Sequence, residues 1–253
     1  MNIDAKILKT DSPRMLEAGF YNLDCMDGMA QFPDKYFELA IVDPPYGIGE
    51  DGRKSQSRMV ASAKWKNPGK TKQLAKSWDD KPMDDDYFTE LFRVSKKCIV
   101  WGANHFISKI PYDSSCWLVW KKNGQNEKCD FADCELAWSN FKTAVRFFDY
   151  AWTGFGAKNA GEEKIHPTQK PIALYKWILA NYAKPGDKIL DTHVGSASSL
   201  IACHQMGFEF VGFEIDPDYY QAATERLERA RAQVSMLDIG GTQQPTEQIE
   251  MEV

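Results

Sequence analysis

Residues 188–216 read KILDTHVGSASSLIACHQMGFEFVGFEID, and the fold is decided there. KILD is a short apolar run closing on an acid, and FEFVGFEI is a second one. Between them SASSLIACHQMG has helical character and ends at Gly207, a residue suited to a left-handed cap. The order is strand, turn, helix, strand, acid. Working outward, the pattern repeats. Further buried strands are expected at 38–43 (ELAIVD), 96–102 (KKCIVWG), 187–191 and 208–215, each rich in Val, Ile or Phe and bounded by turn residues. Less regular aromatic candidates lie at 116–122 and 134–140. Helices are expected over 84–97, with acids first and bases last, over 170–184, with Pro171 suited to a first turn, and over 196–207 and 216–234. Strands alternating with helices predict an α/β protein with a doubly wound, mostly parallel sheet, whose ligands gather at the carboxyl ends of the strands.

Bulk properties set the limits. At 253 residues and 43% hydrophobic, one compact domain over residues 1–235 is expected, with a polar tail over 236–253. No apolar run reaches membrane-spanning length, so a soluble, cytoplasmic protein without a membrane partner is expected. The six cysteines are scattered, and Cys129 and Cys134 have no second pair or nearby histidine to complete a zinc set; no metal is expected. The net charge of −5 offers nucleic acid no overall attraction. Locally the picture differs. Residues 50–76 carry eight basic residues, opposed only by Glu50 and Asp51. This insert (50–80) suits phosphate contacts, although a solvated loop has the same composition. A second insert, 141–165, interleaves aromatics with bases, as base-stacking surfaces do and as packed loops also do.

The turn after KILD is the candidate cofactor site. Gly195 and Ser196 stand just before a helix, where backbone can approach a ligand. Glu214 follows Asp191 by 23 positions, at the end of the next strand, where an acid can hold ribose hydroxyls. A dinucleotide is the competing ligand, but cradling its pyrophosphate usually takes G-x-G-x-x-G, which is absent here. Asp191 would repel phosphates and suit a ligand bearing an amino group or a sulfonium. S-adenosylmethionine has both.

One motif lies outside that half. Asp43-Pro44-Pro45-Tyr46 follows the first long apolar run. As structure it ends a strand; as chemistry it is a stiff loop presenting a carboxylate and a carbonyl. With HPTQKP at 166–171 and the Gly-Ser turn following in that order, the chain resembles the amino-group DNA methyltransferases in the beta arrangement, a circularly permuted motif order with the tetrapeptide before the cofactor turn. The resemblance spans NLDCMDGM (22–29), AIVDPPYG, IVWGANHF (99–106), WLVWKKN (117–123), HPTQKP, the turn and Glu214.

The resemblance implies a Rossmann-like sheet of seven strands, S-adenosylmethionine as cofactor, and methyl transfer to the exocyclic N6 amine of adenine in double-stranded DNA, with cytosine N4 as the alternative base. A non-catalytic DNA-binding protein on the same fold, or an oxidoreductase, would be the other classes. Asp43 and the Pro44 carbonyl would accept the amine hydrogens, with Pro45 stiffening the loop and Tyr46 stacking on a base flipped from the duplex. Asp24 would lie near the cofactor adenine, and Thr168, Gln169 and Lys170 near its methionine end, beside Asp191, Gly195, Ser196 and Glu214. His166 is open between helix start and cofactor contact; His193 and His204 are read as structural. DNA contacts are expected from Arg53, Lys54, Arg58, Lys64, Lys66, Lys121, Lys122 and Arg146. A homodimer and a separate cognate restriction endonuclease are left open. One departure stands out. The family's turn is D-P-F-x-G-S-G-T, whereas residues 191–198 read D-T-H-V-G-S-A-S, without the proline, the aromatic or the second glycine.

Overall fold

A computed structural model describes residues 15–49, 79–122, 132–152 and 162–240, with side chains to residue 233. The basic stretch 50–76 lies outside them, and with it Arg53, Lys54, Arg58, Lys64 and Lys66.

The expected strands are present as β2 (Phe37–Val42), β3 (Ser95–Trp101), β4 (Leu118–Lys121), β5 (Cys134–Ser139), β7 (Lys188–Asp191) and β8 (Glu209–Phe213). Two more were not foreseen, β1 (Gly19–Tyr21) and β6 (Arg146–Asp149). All eight join one sheet in the order β1-β8-β7-β2-β3-β5-β4-β6. Only β5 runs against the others, since both of its pairings are antiparallel and every remaining pairing is parallel. The eighth strand corrects the seven implied by resemblance. It arises because residues 146–149 add to β4 in parallel register, Leu118 opposite Arg146 and Lys121 opposite Asp149.

The helices are α1 (Cys25–Met29), α2 (Asp85–Val94), α3 (Ile172–Tyr182), α4 (Ser198–Met206) and α5 (Pro217–Gly240). Asp84 caps α2 by accepting from the Tyr87 amide, and the helix stops at Val94 because Ser95 is already extended. Gly207 closes α4 with a left-handed backbone, as expected. Helix α5 continues to Gly240, so residues 236–240 of the expected tail are helical; 241–253 lie outside the described residues.

The central strands β2, β3, β7 and β8 are buried on both faces along most of their length, which is why they read as apolar runs. In β2, Leu39 and Ile41 face one core while Ala40 and Val42 face the other; in β3, Ile99 and Trp101 oppose Cys98 and Val100. The first core is closed by α3, α4 and α5 through Leu174, Ile178, Leu200 and Leu227. The second is closed by α1 and α2 through Met29, Phe88 and Leu91. No helix among the described residues is long and apolar enough to cross a membrane.

The second insert is partly structural. Phe148 stacks on Tyr150 (5.6 Å, 12°) and packs on Trp177, and the Trp152 indole donates to the Gln169 carbonyl at 2.7 Å. Phe148, Tyr150 and Trp152 pack against the core in this way, whereas Phe147 stays exposed.

Candidate active site

Parallel strands end on one edge of the sheet, so the loops after β1, β2, β7 and β8 converge. A cavity of about 490 Å³ opens there. Its wall includes Asp24, Asp43, Pro45, His166, Thr168, Gln169, Lys170, Gly195, Ser196 and Glu214. Motifs separated by up to 190 positions thus share one pocket. Apolar surface comes from Leu23, Met83, Phe213, Ile215 and Tyr219.

The tetrapeptide loop is held from several sides. The Tyr46 hydroxyl donates to Asp43 Oδ1 at 2.6 Å, and the Gly47 amide donates to Asp79 Oδ1 at 2.8 Å. The Tyr46 ring lies against Gly102 and stacks on His105, with centroids 5.2 Å apart and planes 18° from parallel. Lys170 donates to Asp43 Oδ2 at 2.5 Å and to the Tyr46 hydroxyl at 3.1 Å. On its far side it forms an ion pair with Glu135 Oε2 at 3.1 Å, and Glu135 Oε1 accepts from Lys122 at 2.5 Å. The result is an alternating row of charges: Asp43, Lys170, Glu135, Lys122.

Burial and pairing compete in this row. Burial pushes the Asp43 carboxyl up from its ordinary value, with Lys170 opposing. Burial would also raise Glu135, but Lys170 and Lys122 outweigh it and hold Glu135 at about 2. Burial alone would depress Lys170; Asp43 and Glu135 reverse that and keep it protonated.

Lys170 lines the cavity beside Thr168 and Gln169, and its ammonium is engaged by Asp43, Tyr46 and Glu135. Lys122 turns inward to Glu135 and is not presented to DNA. Arg146 is also misplaced for that role. It opens β6, and the register with Leu118 puts it at the amino end of the sheet, away from the cavity. Lys121 remains half-exposed at the carboxyl edge, paired with Asp149 at 2.9 Å.

The cofactor turn is braced rather than open. Asp191 is buried and absent from the cavity wall; its oxygens accept from the His193 amide at 3.0 Å and the Ser199 hydroxyl at 2.5 Å. Burial pushes its carboxyl up to about 7 against those bonds. It anchors the turn from behind, which corrects its expected place facing a cationic ligand. Glu214 accepts from the Gly195 amide through Oε2 and the Asp216 amide through Oε1, both at 2.9 Å. Asp24 caps α1 by accepting from the Met26 amide at 2.8 Å. Arg226 reaches under the turn to the Ser196 carbonyl at 2.6 Å and to Glu162 at 2.7 Å.

The departures in the turn now have addresses. Ala197, where the family has glycine, keeps a left-handed backbone (φ 62°) and buries its methyl completely. His193, in place of the aromatic, lines the cavity, meets Tyr87 edge-on at 5.5 Å and shares a hydrogen bond with the Thr192 hydroxyl at 2.9 Å. Burial lowers it to about 4, so the ring is neutral at pH 7. His166 is in the wall too, near-perpendicular to Tyr219 at 4.4 Å, and burial aided by Lys164 and Lys170 lowers it to about 3.

Compared with known families, residues 119–225 match a family model described as DNA methylase. The match covers less than half of the chain, and over it the chain is similar to the DNA methylases. Among curated methylases, the methylase-like protein YubD of Escherichia coli (strain K12) is 26% identical over 217 residues, covering 82% of this chain and 89% of that protein. Type II methyltransferase M2.MboI of Moraxella bovis is 22% identical, covering 81% and 86%. Among solved methylase structures, PvuII DNA methyltransferase (cytosine-N4-specific) superposes with a TM-score of 0.53 at 13% identity, covering 90% of this chain and 95% of that one. TTHA0409 of Thermus thermophilus, complexed with S-adenosyl-L-methionine, does so at 0.51 and 19% identity, covering 83% and 95%. Both agree in fold with the sheet described above.

Proposed function

We propose that this protein is a DNA methyltransferase that acts on the N6 amine of adenine in double-stranded DNA, using S-adenosylmethionine. The observation that carries the reading is the meeting of Asp43 and the Gly195–Ser196 turn in one cavity. The cavity suits the cofactor: about 490 Å³ is within the usual size for small-molecule sites. Glu214 and Asp24 supply acceptors for hydroxyl and amino groups, and Leu23, Phe213 and Ile215 supply apolar surface for an adenine ring. Bound there, S-adenosylmethionine would supply an electrophilic methyl group.

The chain's own residues do the rest. An exocyclic amine is a poor nucleophile because its lone pair is delocalised into the ring. Asp43 and the Pro44 carbonyl accept its hydrogens and concentrate that lone pair on nitrogen. Prolines 44 and 45 keep the acceptors stiff, so nothing needs to be organised during the reaction. The adenine must leave the duplex to reach them, and Tyr46 offers it a ring once His105 gives way. Adenine is favoured because aspartate opens the tetrapeptide. Of the residues assigned to DNA, the 50–76 segment and Lys121 remain.

The test is incubation with unmethylated DNA and the cofactor, nucleoside digestion and mass spectrometry. N6-methyladenine is the expected product; N4-methylcytosine in its place would transfer the reading to cytosine. Asp43→Ala should lose at least about 3 kcal/mol of transition-state stabilisation, the scale of losing a preorganised charge-stabilising group. Near-normal turnover in that variant would refute the role of Asp43.

A further inference from the structure

We propose that Glu135 is a positioning residue: by sharing the Lys170 ammonium, it keeps Asp43 a strong acceptor for the substrate amine. The inference rests on the methyl-transfer reading above and adds a control on its central carboxylate.

A lysine bonded at 2.5 Å should make Asp43 a poor acceptor, because a full positive charge draws electron density from the oxygens an amine must use. The structure places a counterweight on the other side of that lysine. Glu135 lies 3.1 Å from Lys170 Nζ, is largely buried, and stays ionised because Lys170 and then Lys122 outweigh its burial. The ammonium is divided between two carboxylates. Reversal of β5 makes this geometry: Glu135 is its second residue, so it arrives at the carboxyl edge among the last residues of its neighbours, opposite Trp120.

Among the described residues, the other charged or titratable groups near Asp43 leave this balance to Glu135. Tyr46 bonds to Asp43 as a neutral phenol, and Tyr175 on α3 is likewise held in its neutral form. Asp191 at the end of β7 is fixed by the turn, and His166 is neutral. Lys164 bears on Glu135 and Lys122 from the 162–171 segment. An acid in an apolar strand is otherwise hard to explain, since it has to be paired to be tolerated there.

The experiment uses two substitutions expected to act in opposite directions. Glu135→Gln removes the counterweight while keeping the shape, and Lys122→Gln releases Glu135 to draw Lys170 away from Asp43. The Asp43 carboxyl is followed by carbon-13 NMR titration of the ligand-free protein, its resonance assigned by its absence in Asp43→Asn. Glu135→Gln should move the Asp43 midpoint down by about one unit, and Lys122→Gln should move it up. In methyl transfer, Glu135→Gln should lower kcat about ten-fold, leave the KM for S-adenosylmethionine within about two-fold because Glu135 is not in the cavity wall, and shift the acid limb of the kcat profile to lower pH. Lys122→Gln should raise that limb. A purely structural role would change thermal stability without opposite midpoint shifts, and that result overturns the proposal. So would a lowered Asp43 midpoint in Glu135→Gln with kcat unchanged. If Glu135→Gln does not fold, Lys122→Gln decides alone: a risen midpoint supports the inference and an unmoved one ends it. Unmoved midpoints in an enzyme that still methylates DNA sink this inference only; a wild-type protein that transfers no methyl sinks the functional reading beneath it as well.

Discussion

Gly102 is the most exacting position in the site. It follows β3 with a left-handed backbone (φ +68°), and a Cβ built there would stand 2.0 Å from Tyr46 Cε1, 2.3 Å from Cζ and 2.4 Å from Cδ1. Carbon atoms need about 3.5 Å, so Gly102→Ala must push the ring by about 1.5 Å. That ring carries the hydroxyl bonded to Asp43 and Lys170, so the clamp is displaced with it. Two terms add in the folded state. A left-handed alanine costs about 1–2 kcal/mol, and overpacking against the ring about 1–3 kcal/mol. The expected loss is about 2–5 kcal/mol, measured by urea unfolding, together with a fall in kcat of about 100-fold, since a displacement near 1 Å at a catalytic group has that effect. Gly186→Ala is the control. Its backbone is also left-handed (φ +88°), but nothing lies within 4 Å of the new methyl, so it should show the backbone term alone and full activity. Equal stability losses in the two variants, or normal turnover in Gly102→Ala, would refute the reasoning.

Other substitutions test the bracing of the cofactor turn. Asp191 has its carboxyl raised from 3.8 to about 7, so its contribution to stability is full below the unfolded value and is lost as pH rises toward 7. Asp191→Asn removes that loss: its stability relative to wild type should grow by about 2–3 kcal/mol between pH 5 and pH 8 in denaturant titrations, and a pH-independent difference would contradict the buried-carboxyl account. Arg226→Met strips the buried Glu162 of its partner and the Ser196 carbonyl of a donor; a loss of about 3–5 kcal/mol is expected, with weaker cofactor binding by calorimetry. Retained stability in that variant would mean Glu162 is satisfied elsewhere.

Long, strongly patterned elements were legible in the sequence, and so were motifs whose residue types are tied to a chemistry. Short elements were not: β1 has three residues and α1 has five, too few for periodicity to register. Strand β6 was hidden by its aromatics, which read as a stacking surface, although Phe148 packs on Tyr150 and Trp177. Reading found Asp43 and Lys170 but placed them in different sites, because pairing across 127 positions leaves no local trace. Glu135 did leave one, an acid inside an apolar strand, which calls for a partner. His193 also left one, as the residue standing where the family has an aromatic. The charge on Lys122 read as a DNA contact because sequence shows the charge and not its direction.

Strand β8 lies between β1 and β7, and the Asn22 amide side chain donates to the Glu214 and Ile215 carbonyls across 192 and 193 positions. The pocket's two sides are therefore sewn together by the last of the described strands to leave the ribosome. Until about residue 213 has emerged, β1 lacks the strand it pairs with and Asp24 has no opposite wall. A nascent chain halted earlier would expose two apolar strand edges while owning an intact Asp-Pro-Pro-Tyr loop, and it would depend on chaperones long before it could touch a nucleotide.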